Sequence, residues 1–347
     1  MRVSIGIAGP ASGGSRDWAE SVDFALEAER LGVDSAWSAE AWGRDAVSPL
    51  AWLAARTTRL RLGTGIMQIS ARVPAMTAMT ALTLAEISGG RFLLGLGASG
   101  PQVVEGLHGA PFEHALGRLR ETIEIVRLAC RGARIEYRGR HFELPRPGGE
   151  GKALRLAVPP CPVPIYLATL APKSLELTGE LADGWLGTSF VPERAEAALA
   201  HLRVGAARAG RSLADLDLHA GGFVAFSDDV DALVRARKPM LAFTLGAMGS
   251  ARRNFYNDAY RRAGYEAVAR EVQALWLAGR RDEAAARVPD ALVLASNLLG
   301  TEAMVRERIR AYRDAGITTL RVAPDGRTLA ERIATLGRLM ELVREEA

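Results

Sequence analysis

Residues 59–100 read RLRLGTGIMQISARVPAMTAMTALTLAEISGGRFLLGLGASG, and this stretch alternates between two kinds of hydrophobic pattern. Short apolar runs at Leu60–Met67 and Phe92–Gly97 predict buried β-strands, whereas Ala75–Ile87 has the spacing of an amphipathic helix. A strand, a helix and a second strand in succession predict two parallel strands joined by a right-handed crossover. The stretch is therefore one β–α–β unit of an α/β protein.

The same alternation extends along the whole chain. The eight predicted strands are Val3–Ala8, Ser35–Ala39, Leu60–Met67, Phe92–Gly97, Pro164–Thr169, Gly184–Ser189, His219–Phe226 and Thr319–Ala323. Eight repeats of strand and helix predict a closed (β/α)8 TIM barrel of the α/β class. We expect one domain over residues 1–347, with insertions near residues 134–164 and 228–300. In the first insertion, IEYRGRHFEL (135–144) predicts a β-hairpin.

Composition and charge exclude several classes of protein. The chain has 347 residues, of which 48% are hydrophobic and 24% charged, as in ordinary globular enzymes. Its 44 basic residues include only three lysines, and the arginines are spread evenly without a basic block. Because basic patches with interleaved aromatic residues are absent, we expect no nucleic-acid partner.

The sequence also gives no sign of export, membrane insertion or metal binding. No apolar run is long enough for a membrane span, and MRVSIGIAGP lacks the features of a signal peptide. We therefore expect a cytoplasmic protein without a membrane partner. The two cysteines and five histidines have no metal-ligand spacing, so no metal site is predicted.

Candidate chemistry lies at the ends of the predicted strands, where barrel enzymes place their active sites. Glu40 follows the second strand and is a candidate acid or base, although a solvated loop glutamate fits equally well. His108 lies in the glycine-rich loop EGLHG and is the second candidate, against the alternative of a loop-packing histidine. The GLGASG motif at 95–100 follows the fourth strand rather than the first, which argues against a dinucleotide-binding fold.

Two further segments suggest a ligand that reaches several strand ends. In PIYLATLAPKSLELTGELADGW (164–185), Pro172 and Lys173 begin a helix whose free N–H groups could bind an anion. The alternative is simply a well-started helix. Gly63 and Gly65 lie within the third strand, where glycine marks a bulge or a close backbone approach.

Residues 62–112 and 166–185 together resemble the bacterial luciferase-like superfamily, and within it the coenzyme F420-dependent oxidoreductases. The likeness extends from about Ile5 to Glu341. It implies a (β/α)8 barrel that binds a deazaflavin or flavin ring against a bulge in the third strand. In many relatives this bulge contains a cis peptide, and the matching bond here is Gly65–Ile66.

The resemblance also implies which residues contact the cofactor. The ring and its side chain should meet Ala39, Gly65, Ile66, Gln68, Gly97, Ala98 and Ser99, and the phosphate region should use Thr169, Leu170, Ala171, Lys173, Gly184 and Trp185. A polyglutamate tail could meet Arg72, Arg252 or Arg253.

The chain departs from the family pattern at three places. Many deazaflavin relatives have Asp-His where this chain has Ala39-Glu40, so their acid–base histidine is missing. A Gly-Gly pair in the phosphate turn is replaced by Leu170-Ala171. Gly100 stands where sugar-phosphate-oxidising relatives have a glutamate, which argues against that activity.

Three functional hypotheses follow. The leading one is hydride transfer between coenzyme F420 and a small organic substrate, with Glu40 or His108 supplying a proton. The second is an FMN-dependent two-component monooxygenase, and the third is a flavin-binding barrel without turnover. A homodimer is expected because members of the superfamily often pair through barrel helices.

Overall fold

The computed structural model describes residues 1–8, 17–249 and 254–346. Its strands are β1 (Arg2–Ala8), β2 (Ser35–Ser38), β3 (Arg61–Thr64), β4 (Met67–Gln68), β5 (Phe92–Gly97), β6 (Tyr137–Arg138), β7 (Glu143–Leu144), β8 (Ile165–Leu167), β9 (Gly184–Leu186), β10 (Asp217–Ala220), β11 (Phe223–Phe226), β12 (Leu298–Gly300) and β13 (Thr319–Pro324).

The helices surround this sheet. They are α1 (Trp18–Leu31), α2 (Val47–Ala54), α3 (Pro74–Ile87), α4 (Pro101–Val104), α5 (Ala115–Cys130), α6 (Pro172–Leu181), α7 (Glu196–Arg208), α8 (Val230–Gly246), α9 (Phe255–Tyr260), α10 (Glu266–Leu277), α11 (Arg281–Ala286), α12 (Asp290–Ala295), α13 (Glu302–Asp314) and α14 (Leu329–Glu345). Two 3₁₀ turns (Pro192–Arg194 and Leu213–Asp215) and a π turn (Arg261–Tyr265) complete the set. In the part of the chain described here, no helix is long and apolar enough to cross a membrane.

Parallel pairing closes the barrel. The order is β1, β2, β3, β5, β8, β9, β10 and β13, and β13 pairs in turn with β1. The predicted eight-stranded (β/α)8 barrel is therefore confirmed. Because every strand of the ring runs in the same direction, all their carboxyl ends meet at one rim, which we call the mouth.

Three strands differ from the prediction. The third is interrupted between Thr64 and Met67, and the seventh divides at Gly221. A Cβ atom at Gly221 would lie 2.1 Å from the carbonyl oxygen of Arg321, so the backbones approach there too closely for any side chain. Strand β12, which pairs with β11 within the second insertion, was not predicted from the sequence. The same is true of the single turn of α4 after the GLGASG motif.

Both insertions are held by local interactions. In the first, β6 and β7 form the antiparallel hairpin expected from the sequence, and the carboxylate of Glu121 accepts hydrogen bonds from the N–H groups of residues 140–142. In the second, helices α8–α12 enclose an apolar cluster of their own that includes Leu245, Val272 and Leu292. This cluster packs against β11 and β12 through Ala225 and Leu299.

Aromatic rings and a polar network fill the barrel interior. Trp37, Tyr166 and His219 meet edge to face, with ring centroids 5.1–5.4 Å apart. At the end opposite the mouth, Asp217 accepts hydrogen bonds from Tyr166 at 2.8 Å and from Thr318 at 2.7 Å. Burial alone raises the pKa of Asp217, but the contacts with His219 and the threonine hydroxyls outweigh it and lower the pKa. The network therefore stabilises the fold above the ordinary carboxyl pKa and loses this effect in acid.

Helices α6 and α7 should be sensitive to added volume at their crossing. A Cβ atom at Gly205 would lie 1.7 Å from the carbonyl oxygen of Glu176. We expect Gly205→Ala to lower the free energy of unfolding by about 1–3 kcal/mol, since the helices must separate. Gly337→Ala on α14 is the matched control, because its Cβ would meet only Leu31 at 3.7 Å and alanine favours helix. Urea unfolding of both variants measures the difference, and equal stabilities would contradict the close crossing.

Candidate active site

The interruption of the third strand shapes one wall of the mouth. The Gly65–Ile66 peptide bond is cis, as the family resemblance implied. The N–H of Gly65 donates to the carbonyl of Ser38 at 2.6 Å, and the carbonyl of Ile66 accepts from the N–H of Glu40 at 3.3 Å. We call this wall, residues 65–66, the bulge. Its backbone is tied to the end of β2 on both sides of the cis bond.

The Glu40 side chain adds further hydrogen bonds between the end of β2 and the segment around the bulge. Its Oε1 accepts hydrogen bonds from the N–H of Gln68 at 2.8 Å and from Arg72 Nη1 at 2.7 Å. Its Oε2 accepts from the N–H of Ala46 at 3.2 Å. A carboxylate with three donors, one of them a guanidinium, is held in one position. This geometry gives Glu40 a positioning role, because it fastens the loop after β2 to β4.

Polar atoms without partners surround the bulge. Ser38 Oγ, Gln68 Oε1 and Ser70 Oγ are buried, and none of them has a hydrogen-bond partner among the described residues. Buried polar atoms in native structures nearly always have a partner, so three orphans in one place suggest a missing ligand or ordered water. The site therefore offers hydroxyl groups and an amide oxygen to a polar ligand edge.

The end of β5 lies directly beside the bulge, since β5 pairs with β4. A Cβ atom at Gly97 would lie 3.0 Å from Ile66 Cδ1, so glycine keeps this wall close to the bulge. Ala98 and Ser99 follow with partly exposed side chains, and Ser99 has a φ of 60°. A flat ligand can approach the backbone here without meeting a side chain.

Hydrogen bonds from neighbouring side chains hold the turn Thr169–Ala171 before α6, which we call the phosphate turn after the family resemblance. Thr169 Oγ1 bonds to Thr178 Oγ1 at 2.7 Å, and the carbonyl of Thr169 accepts from Trp185 Nε1 at 3.0 Å. The Lys173 ammonium is not aimed at this turn but pairs with Glu176 at 3.0 Å. Instead, Arg262 reaches the turn from the second insertion and donates to the carbonyl of Leu170 at 2.7 Å.

A small cavity of about 20 Å³ opens beside this turn. Leu170 and Trp185 line it from the barrel, and Arg194 and Arg262 supply positive charge. Ser189, with a φ of 52°, also lines the cavity, and its buried Oγ has no hydrogen-bond partner among the described residues. The cavity therefore combines a helix start, two guanidinium groups and an unsatisfied hydroxyl, a set that suits an anionic group.

Comparison with known proteins places these features in a family. The family model described as luciferase-like monooxygenase matches residues 2–319. The chain belongs to the luciferase-like monooxygenase family. It is 42% identical over 327 residues to a provisionally named coenzyme F420-dependent oxidoreductase of Mycobacterium tuberculosis, covering 92% of this chain and 93% of that protein.

Two further luciferase-like relatives extend the comparison. The 5,10-methylenetetrahydromethanopterin reductase of Archaeoglobus fulgidus is 30% identical over 292 residues, covering 84% of this chain and 85% of that protein. The solved structure of the coenzyme F420-dependent tetrahydromethanopterin reductase from Methanopyrus kandleri superposes with a TM-score of 0.80 at 24% identity. That alignment covers 100% of this chain and 99% of the other, and it shows a shared fold.

The luciferase-like chain does not bring every expected residue to the mouth. Gly184 lies in the layer of Asp217 near the opposite end of the barrel, where a Cβ atom would meet the Tyr166 ring at 2.2 Å. Trp185 is buried beneath the phosphate turn. His108 is exposed after α4. Arg252 and Arg253 lie outside the described residues. Within the described ranges, no cluster of side chains could hold a metal ion.

Two arginines at the mouth were missed by the sequence analysis. Arg262 lies in an insertion, and no local pattern shows that it returns to Leu170. Arg321 interrupts the apolar run of β13, and this interruption was a usable signal, because a charged residue at an inward strand position is rare. Arg72, expected at the cofactor tail, pairs with Glu40 instead.

The positioning role of Glu40 predicts a structural effect of its removal. Glu40→Gln replaces an oxygen acceptor by an amide group that repels one of the three donors. We expect the free energy of unfolding to fall by about 1–3 kcal/mol. Glu27→Gln, on the exposed face of α1, should change it by less than about 0.5 kcal/mol. Urea unfolding provides the measurement. Unchanged stability with a shifted pH–rate profile would instead identify Glu40 as the catalytic acid.

Proposed function

We propose that this protein is a coenzyme F420-dependent oxidoreductase that transfers a hydride between the cofactor and a small organic substrate. The observation that carries the proposal is the 42% identity, over almost the full length of both chains, to the mycobacterial F420-dependent relative. The unpartnered polar atoms around the bulge support it, because with the adjoining end of β5 they form a polar, backbone-lined surface at the mouth, which we call the slot.

The residues of the slot fit a deazaflavin ring. The unpartnered Ser38 Oγ and Gln68 Oε1 can bond to the polar edge of the ring. Ala39, Ala98 and Ser99 lie around the same opening with partly exposed side chains. When bound, the cofactor supplies the hydride chemistry, while the protein positions the substrate and excludes water.

The cofactor's tail belongs at the phosphate turn. The N–H groups of Leu170 and Ala171 have no acceptor among the described residues, and α6 begins directly after them. Arg262 adds a positive charge at 2.7 Å from the carbonyl of Leu170. Free N–H groups at a helix start and a guanidinium are the partners that phosphates favour. We therefore assign the phosphate to this turn, with Arg262 in the place first expected for Lys173.

The two candidate proton donors are Glu40 and His108. Glu40 is engaged by three donors, and the His108 ring lies exposed on the loop after α4. In this arrangement the protein's contribution is mainly orientation and exclusion of water. A substrate that exchanges its own proton with solvent needs no dedicated side chain for that step.

The alternative is an FMN-dependent two-component monooxygenase, which the name of the matched family favours. The same slot accepts an isoalloxazine ring, so the choice between the cofactors must be measured. A flavin-binding barrel without turnover is the remaining possibility, and the binding experiment below together with a reductase assay separates all three.

Binding should favour coenzyme F420. We expect titration of the protein with F420 to quench tryptophan fluorescence with a Kd on the order of micromolar, and FMN to bind at least about tenfold more weakly. Arg262→Gln should weaken F420 binding about tenfold, since one charged phosphate contact is lost. The same variant should leave unchanged the affinity for 8-hydroxy-5-deazariboflavin, which has the ring and the ribityl chain but no phosphate. Tight FMN binding with weak F420 binding would establish the monooxygenase reading, and binding to neither would overturn both.

The outer face of α3 supports a homodimer. Val73, Met76, Met79 and Ile87 are 45–66% exposed, and Trp52 on the neighbouring α2 is 54% exposed. Met76, Met79 and Ile87 share one side of the helix, because their spacing matches its period. An exposed apolar stripe of this kind marks an interaction surface. A second copy of this chain is a suitable partner for the stripe, since a two-fold contact between identical apolar stripes brings no like charges together.

The stripe predicts the effect of adding charge. Met76→Glu with Met79→Glu should convert the protein from dimer to monomer, because four carboxylates would face one another across the two-fold axis. Sedimentation equilibrium gives the mass in each case. Met240→Glu, at an exposed apolar position on α8, is the control and should leave the mass unchanged. A monomeric parent protein would contradict the dimer.

A further inference from the structure

Arg321 places a positive charge at the bottom of the mouth. Its neighbours Leu320 and Val322 point outward into the core between sheet and helices, so Arg321 points into the barrel. Its Nη2 lies 3.8 Å from the position that a Cβ atom would take on Gly65. The guanidinium therefore lies beside the bulge, above the interior layer of Trp37 and His219.

Within residues 1–8, 17–249 and 254–346, this charge has no counter-ion. Among the described residues, no hydrogen bond or ion pair ends on the Arg321 guanidinium. The Glu40 carboxylate near the bulge is already taken by Arg72. Burial lowers the pKa of His219, which keeps that ring neutral, and raises the pKa of Tyr256, which keeps the phenol protonated. The titratable groups that face Arg321 are thus both neutral.

An unpaired cation in a partly buried cleft costs free energy that an anionic ligand recovers. Most other arginines of the chain are paired with carboxylates or carbonyls, as Arg61, Arg120 and Arg127 are. Arg321 differs from them because it has no such partner among the described residues, and it lies beside the bulge at the slot that we assigned to the cofactor ring. The ligand atoms that reach the bulge should therefore carry negative charge.

Resting on the proposed function, we propose that Arg321 binds the ionised ring of an 8-hydroxy-5-deazaflavin and so selects coenzyme F420 over FMN. The ring hydroxyl of a deazaflavin of this type is acidic, and its anion is conjugated through to the opposite, pyrimidine end. Either end of the ring can therefore present negative charge to Arg321. The oxidised isoalloxazine of FMN is neutral and gains less from the same guanidinium.

Two tail-free compounds isolate this effect from the phosphate turn. Both 8-hydroxy-5-deazariboflavin and riboflavin carry the same ribityl chain and lack phosphate, so their affinities compare the rings alone. We expect the parent protein to bind the deazaflavin at least about tenfold more tightly at neutral pH. In Arg321→Gln this preference should fall to about threefold or less, and Arg321→Lys should restore part of it.

The spectrum of the bound deazaflavin gives a readout independent of catalysis. Ionisation of the ring hydroxyl changes its long-wavelength absorption, so a pH titration of the complex reports the ring pKa. We expect the parent protein to lower that pKa by about one unit or more, because a nearby cation favours the anion. Arg321→Gln should abolish the shift. Tyr256→Phe should preserve it, which separates the guanidinium from the phenol that faces it.

The outcomes separate this inference from the proposed function. Arg138→Gln on the exposed hairpin is the control for loss of one positive charge and should behave as the parent does. If the parent protein binds F420 while Arg321→Gln keeps both the preference and the pKa shift, the role of Arg321 is overturned and the function stands. If the parent protein binds neither ring, the proposed function itself fails. Should Arg321→Gln not fold, a ring pKa in the parent complex at or above its free value overturns the inference.

Discussion

Hydrogen bonding between the first strand and the last makes everything else in this protein possible. Once Arg2 lies opposite Thr319 and Val3 opposite Leu320, the ring of parallel strands is complete and no edge remains. Parallel direction then places all carboxyl ends on one side. Segments far apart in the chain, near residues 40, 66, 98, 170 and 321, come together at the mouth for this reason alone. The polar network around Asp217 fills the opposite end.

The interrupted third strand shows how such a scaffold accommodates a binding slot. Glycine at 63 and 65 makes room for Trp37, whose ring would otherwise meet a Cβ atom at 2.4 Å beside Gly63. The bulge is held in position, because the Glu40 carboxylate accepts a hydrogen bond from the backbone N–H of Gln68, which directly follows the bulge in β4. The residue that looks most catalytic in the sequence is thus the one that holds the wall in place.

The arginines of this protein lie in two kinds of surroundings. Many arginines on the outer helices pair with nearby carboxylates, where each pair contributes little to stability because water screens it. Arg262 and Arg321 lie at the mouth instead. Arg262 contacts the phosphate turn and Arg321 lies beside the bulge. A ligand with an anionic tail and an anionic ring matches that pair better than a ligand with only one of the two charges.

The sequence by itself determined the eight β–α units, the hairpin of the first insertion and the location of the bulge, because these depend on hydrophobic period and on glycine within short segments. It did not reveal β12, whose three residues are too few for a periodic signal. Only the tertiary structure decided the partners of the Glu40 carboxylate, which include Arg72 from another loop. It likewise brought Arg262 to Leu170 across 92 residues and left Arg321 without a counter-ion among the residues that the structure describes. Local pattern fixes which way a side chain faces, whereas its partners are set by which distant segments the closed barrel brings into contact.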